Sequence, residues 1–239
     1  MSAATDVTFP SSTGRPMRAC LALPAATGPR PGVIVIHEIF GLNDDMRRIA
    51  ARFADLGYVA LAPDLFDTGG PWLLCVARTI MALQRGDGAG FADLDAARAW
   101  LGARPEVDAS RIGAVGFCMG GGYALLYAVR APLGVTAVFY GDVPKTAEAL
   151  RGVCPVLGGY GGRDRLFAKQ GARLEALLRE LGVPNDVRIY PDAGHSYMSP
   201  HTGVMATIGA WSPMAAGYDP AAAADSWARI ESFFKQHLG

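Results

Sequence analysis

The sequence has little cysteine and no excess of either charge. Only four of its 239 residues are cysteine: Cys20, Cys75, Cys118 and Cys154. They lie far apart, with no C-x-x-C pair and no histidine in zinc-finger register. That spacing excludes a disulfide scaffold and a structural zinc site, so no metal is expected. Lys plus Arg and Asp plus Glu number 22 each, for a formal net charge of zero. General nucleic-acid affinity rests on excess positive charge, so no nucleic-acid partner is expected. No apolar run approaches the roughly 20 residues of a membrane span. The opening MSAATDVTFPSSTGRPMR lacks the basic-then-apolar layout of a signal peptide. There is no repeat at fixed period, no low-complexity linker and no cofactor motif. These absences point to a cytoplasmic protein, monomer or homodimer, with no membrane partner and no cofactor.

What is present is apolar. Residues of that class make up 51% and charged residues only 18%, which excludes disorder. A chain of this length buries roughly 70% of its surface on folding, enough for a large core without staples. One domain over residues 1–239 is expected. Val7–Phe9 and Met17–Leu23 flank SSTGRP and read as a leading β-hairpin. GVIVI (32–36) is a continuous β-branched run, the mark of a strand buried on both faces. Strand patterns at 58–62, 111–117, 135–140, 153–158 and 187–190 then alternate with helical patterns at 44–56, 73–83, 91–101, 121–129, 166–181 and 225–237. Such alternation predicts an α/β fold, a mostly parallel central sheet with helices on both faces. The irregular stretch 196–220 is too long for an ordinary connection and is a candidate functional loop.

In open parallel sheets ligands bind beyond the carboxyl ends of the strands. There the sequence places His37 and Glu38, Asp64, Cys118, Asp142, Asp164 and His195. Cys118 lies in Gly116-Phe117-Cys118-Met119-Gly120, between a strand pattern and a helix pattern. That is the nucleophile elbow, with Cys where Ser is usual. The helix N-terminus favours an anion, hence a thiolate, and presents the Met119 N–H to a developing oxyanion. His195 follows the last strand and fits the chain order nucleophile, acid, histidine. Asp164 lies between the two and is the expected acid, with Asp142 the rival one strand earlier. Glu38, directly after a buried strand, should itself be buried, and burial of a charge demands a partner. The thiol, an arginine and the backbone are the alternatives. Ile39 could supply a second oxyanion N–H. A binding protein without chemistry has no need of all three triad residues, and a redox thiol has no neighbouring cysteine in sequence to resolve it.

Together, HEIFGLND (37–44), YVALAPDLF (58–66), GFCMGGGYAL (116–125), GGRD (161–164) and DAGHSY (192–197) resemble the dienelactone hydrolase family of α/β-hydrolases. The resemblance implies a Cys118–His195–Asp164 triad, an oxyanion hole from the Ile39 and Met119 amides, and a Glu38 that contacts the resting thiol. It also implies hydrolysis of an activated ester or lactone. In that family an arginine shortly after the catalytic histidine holds the substrate carboxylate, but here Ser199 stands in its place. A second family arginine lies in the helical region after PDLF, where Arg78 and Arg85 are the candidates. Phe40, Tyr123 and Tyr197 are candidate pocket-lining residues, and the longer loop 199–217 is a candidate for reshaping the pocket.

Overall fold

The computed structural model describes residues 2–67, 71–201 and 204–239. Eight strands form one sheet in the order β1-β2-β4-β3-β5-β6-β7-β8. β1 (Ala4–Pro10) and β2 (Pro16–Ala22) are the expected hairpin. β2 also pairs antiparallel with β4 (Val59–Pro63), so the hairpin extends the sheet. β3 (Arg30–Ile36), β4, β5 (Val107–Phe117), β6 (Thr136–Phe139), β7 (Val156–Gly161) and β8 (Asn185–Tyr190) run parallel. Parallel neighbours need crossovers, and helices supply them.

The period of two along each strand divides the core into two layers. Ile34 and Ile36 of β3 face one layer, with Leu94, Leu101, Tyr123, Leu125 and Leu174. These come from α3 (Ala89–Gly102), α4 (Met119–Arg130) and α5 (Ala168–Glu180). Val33 and Val35 face the other, with Ile49, Phe53, Trp227 and Phe234. Those come from α1 (Asp44–Asp55) and α7 (Pro220–Leu238). Each fully buried aromatic or aliphatic side chain contributes about 1.5–3 kcal/mol, so both faces are firmly closed. Both helices of the second layer carry caps written in the sequence. The Asn43 side chain accepts the Met46 N–H at 3.1 Å, and Asp219 accepts those of Ala221 and Ala222 with Pro220 following.

Several bounds depart from the sequence reading, with β5 and α7 beginning four and five residues earlier than expected. β7 begins and ends three residues later than the expected 153–158, so Gly158, Gly159 and Gly161 lie inside it. The 196–220 stretch contains α6 (Val204–Trp211), which its Gly and Pro content disguised; residues 202 and 203 within it lie outside the described residues. α2 (Trp72–Arg85) completes the set. No described helix is long and apolar enough to cross a membrane. The parallel strands all point their carboxyl ends the same way, and β3, β5, β7 and β8 deliver Glu38, Cys118, Asp164 and His195 to that rim.

Candidate active site

Cys118 occupies a turn no other geometry would allow. It links β5 directly to α4, with φ 55° and ψ −119°. A non-glycine residue in this region costs about 1–3 kcal/mol and persists only where the surroundings enforce it. Here its N–H donates to the Phe139 carbonyl at 3.0 Å, and its own carbonyl accepts the Gly121 N–H at 3.0 Å. The neighbouring glycines are obligatory. A Cβ on Gly116 would overlap the Gly120 carbonyl, and one on Gly120 would overlap the Ile36 carbonyl and lie 2.6 Å from that of His37. The backbone of α4 therefore touches the backbone of β5 and the end of β3. That contact sets Met119 beside the loop carrying Ile39. Among the described residues no acceptor takes the Ile39 or the Met119 N–H. Two donors without a partner thus lie on the elbow and on the loop that follows β3.

Asp164 is fully buried and held from three sides. Its Oδ1 accepts the Leu166 and Phe167 N–H groups at 3.0 and 3.1 Å, and its Oδ2 meets His195 Nδ1 at 2.6 Å. A carboxylate only accepts, so Nδ1 carries the proton and Nε2 is turned away from Asp164. Burial lowers the His195 pKa, while Asp164 and Cys118 raise it by more, to about 10. Nε2 is buried without a hydrogen bond of normal geometry among the described residues. Cys118 acts on the imidazole through a hydrogen-bonding contact looser than normal geometry and through its charge, and such contacts often tighten only when substrate arrives. The rival, Asp142, instead accepts from Gln170 at 2.7 Å.

His195 is fixed through its backbone as well. Its N–H donates to Met214 and its carbonyl accepts from Gly217, at 2.9 and 3.0 Å. The Tyr197 carbonyl accepts from Asp219 at 3.0 Å, and the Arg165 N–H donates to Pro213 at 3.0 Å. A Cβ on Gly194 would overlap the Ala215 carbonyl. Residues 212–219 therefore form a strap across the histidine turn.

Glu38 is buried, as expected, and its partner is one the sequence did not single out. Oε2 meets His201 Nε2 at 2.8 Å, and Oε1 accepts from Ser199 Oγ at 3.5 Å. The carboxylate's hydrogen bonds thus go to the loop after His195 and not to the thiol. Glu38 raises the His201 pKa.

A cysteine elbow, an Asp–His pair and two free amides at one sheet rim are joined by a match to the dienelactone hydrolase family model over residues 17–238. The chain belongs to the dienelactone hydrolase family. It is a hydrolase with the α/β-hydrolase fold. It is 33% identical to a Salmonella typhimurium protein named "Putative carboxymethylenebutenolidase", over 98% of this chain and 87% of that one. A Saccharolobus solfataricus protein of the same name is 30% identical, over 95% of this chain and 97% of that one. Among solved structures, a dienelactone hydrolase-like promiscuous phosphotriesterase, P91, from metagenomic libraries superposes with a TM-score of 0.82. It is 29% identical and covers 100% of this chain and 99% of its own.

Within this dienelactone hydrolase family member, the candidate lining residues separate. Phe40 is 38% exposed and stands edge-on to His201 at 5.0 Å, beside Glu38. Tyr123 is a core residue, with its hydroxyl on the Thr79 carbonyl at 2.8 Å. Tyr197 is likewise buried, bonded to Ser226 at 2.9 Å and packed on Tyr140 and Tyr190. Arg78 and Arg85 line a cavity of about 500 Å³ with Met17, Leu65 and Cys75, and neither Cys118, Glu38 nor His195 borders it. The pairing of His201 with Glu38 spans 163 residues and leaves no local pattern in the sequence.

The Glu38–His201 pair makes stability depend on pH with a definite sign. A raised histidine pKa contributes stability that is complete below the ordinary value near 6.5. It is lost as pH rises through the folded value. His201→Gln is therefore expected to lower the melting temperature more at about pH 6 than at about pH 9. Equal losses at both would show that the pair is not charged.

Proposed function

We propose that the chain hydrolyses activated esters or lactones of the enol-lactone type through Cys118, His195 and Asp164. The observation that carries this reading is the strained Cys118 at the start of α4, set beside the His195–Asp164 pair and two free backbone donors.

The Cys118 sulfur, its proton passed to His195, attacks the carbonyl carbon. The carbonyl π pair moves onto oxygen, which the Ile39 and Met119 N–H groups receive. Collapse expels the alcohol or enol oxygen, which takes the proton from His195 Nε2, and leaves a thioester. Acylation also removes the sulfur's negative charge. One of the two supports for the imidazolium is then gone, which lowers the His195 pKa. Neutral His195 can next take a proton from water as the hydroxide attacks the thioester. The acid leaves and Cys118 is regenerated. Asp164 holds the tautomer throughout. In this reading Glu38 assists deprotonation of the thiol only after leaving His201.

The sulfur narrows the substrate. A thiolate leaves a tetrahedral intermediate more readily than a plain alkoxide does. Collapse back to substrate then wins unless the leaving group is good. Enol lactones and aryl esters meet that condition. Ser199 offers no guanidinium to a substrate carboxylate, so an uncharged acyl portion suits the site.

The test is hydrolysis of p-nitrophenyl acetate, an uncharged enol lactone and ethyl acetate. Turnover of the first two, with ethyl acetate at least roughly 100-fold slower, is expected. Equal rates on aryl and alkyl esters, or no hydrolysis by protein whose Cys118 alkylates readily, would sink the proposal.

A further inference from the structure

We infer that His37 is a positioning residue for the oxyanion hole, setting the direction and polarity of the Ile39 N–H; this rests on the hydrolytic reading above. His37 has no exposed surface, and both ring nitrogens are engaged. Nε2 accepts the Leu65 N–H at 3.0 Å, and Nδ1 meets the Glu38 carbonyl oxygen at 2.6 Å. A backbone N–H can only donate, so Nε2 must present its lone pair. Nδ1 therefore carries the proton and donates to the Glu38 carbonyl. Burial lowers the pKa of the ring, which keeps it neutral in this tautomer.

The consequence lies one bond further on. The Glu38 carbonyl accepts from His37 and also from the Gly41 N–H, at 3.2 Å. Two donors on one oxygen fix the plane of the Glu38–Ile39 peptide. That peptide is trans and planar, so the Ile39 N–H points away from the oxygen His37 holds. That N–H has no acceptor among the described residues, and in the hydrolytic reading it receives the oxyanion. A hydrogen bond to the carbonyl end of an amide also polarises its N–H, which strengthens the donor where negative charge develops. The His37 main chain is itself pressed against the elbow, since a Cβ on Gly120 would lie 2.6 Å from its carbonyl. The ring thus connects the loop after β4, through Leu65, to the amide that faces the reacting oxygen. An ordinary core histidine would bridge the two loops equally well, and the test must separate the two roles.

Alkylation of Cys118 by iodoacetamide displaces iodide at a tetrahedral carbon and creates no oxyanion. Ester hydrolysis and capture of a peptide-like aldehyde inhibitor both do. In His37→Leu, kcat on p-nitrophenyl acetate and affinity for the aldehyde are expected to fall together, by about 10- to 100-fold. That lies at or below the roughly 100- to 1,000-fold cost of deleting one such donor outright. KM and the Cys118 alkylation rate are expected to stay within about twofold. If His37→Leu does not fold, His37→Asn, polar but too short to reach both partners, carries the same measurements. Alkylation that falls in step with kcat, or kcat and aldehyde affinity left unchanged, overturns the inference. A wild type that alkylates but cleaves no ester instead removes the hydrolytic reading beneath it.

Discussion

Cys118→Ala is expected to lower turnover of p-nitrophenyl acetate by about 10⁴- to 10⁶-fold, to the residual rate of a site with only binding and oxyanion donors. The fold should survive. The substitution removes one half-buried sulfur and leaves the elbow backbone, which hydrogen bonds to Phe139 and Gly121 hold without any help from the side chain. The melting temperature should therefore move little while activity disappears. Thiol labelling supplies the control. Cys20 and Cys75 are buried, and burial pushes the Cys154 thiol up to about 12. Rapid labelling near neutral pH should accordingly be confined to Cys118 and vanish in the variant. Residual hydrolysis within about tenfold of wild type would place the nucleophile elsewhere.

The second large effect concerns stability. Gly120→Ala is expected to cost at least about 3 kcal/mol in urea unfolding, or to prevent accumulation of folded protein. The added methyl would enter the space of the Ile36 carbonyl, a backbone atom of the central strand that has no rotamer to yield. Relief would require α4 to lift from the sheet, and that would carry Cys118 and Met119 away from Ile39. Gly182 is the contrasting position. It has positive φ, at +67°, which Gly120 does not, and a Cβ there meets nothing within 4 Å. Gly182→Ala should cost only about 1–2 kcal/mol, the intrinsic left-handed penalty, and leave activity alone. A cost at Gly120 no greater than that at Gly182 would show that contact with the end of β3 does not make Gly120 necessary.

The parts of the molecule that were legible in the sequence are those governed by local rules. GVIVI announced a strand buried on both faces because neither face of β3 meets water. The Gly-x-Cys-x-Gly turn announced itself because backbone contact leaves room for no other residues. Chain order singled out Asp164 as the acid for His195, and the two side chains do meet, at 2.6 Å. Where long-range packing decides, the local signal misled. The strand expected to end at Gly158 runs on to Gly161, and Gly159 within it leaves room for the Phe139 ring and the Tyr197 hydroxyl, which fill the space a side chain would need. Tyr123 and Tyr197 look like pocket residues beside the motifs, but their hydroxyls are satisfied inside the core. The Glu38 carboxylate found neither thiol nor arginine. Its partner arrives from a loop with no periodicity at all.

The strap over His195 divides the long loop into two parts with different freedom to change. Residues 212–219 hold the histidine turn through main-chain bonds, whose register depends on spacing more than on side-chain identity. The α6 segment before it presents Ile208 and Trp211 outward, 58% and 89% exposed, with few constraints. Diversification aimed at new substrates can therefore act on α6 by substitution, leaving the chemistry in place. A loop transplanted from a relative must bring its own histidine turn and strap as one piece, because a single residue inserted between 214 and 217 would put the two main-chain bonds to His195 out of register.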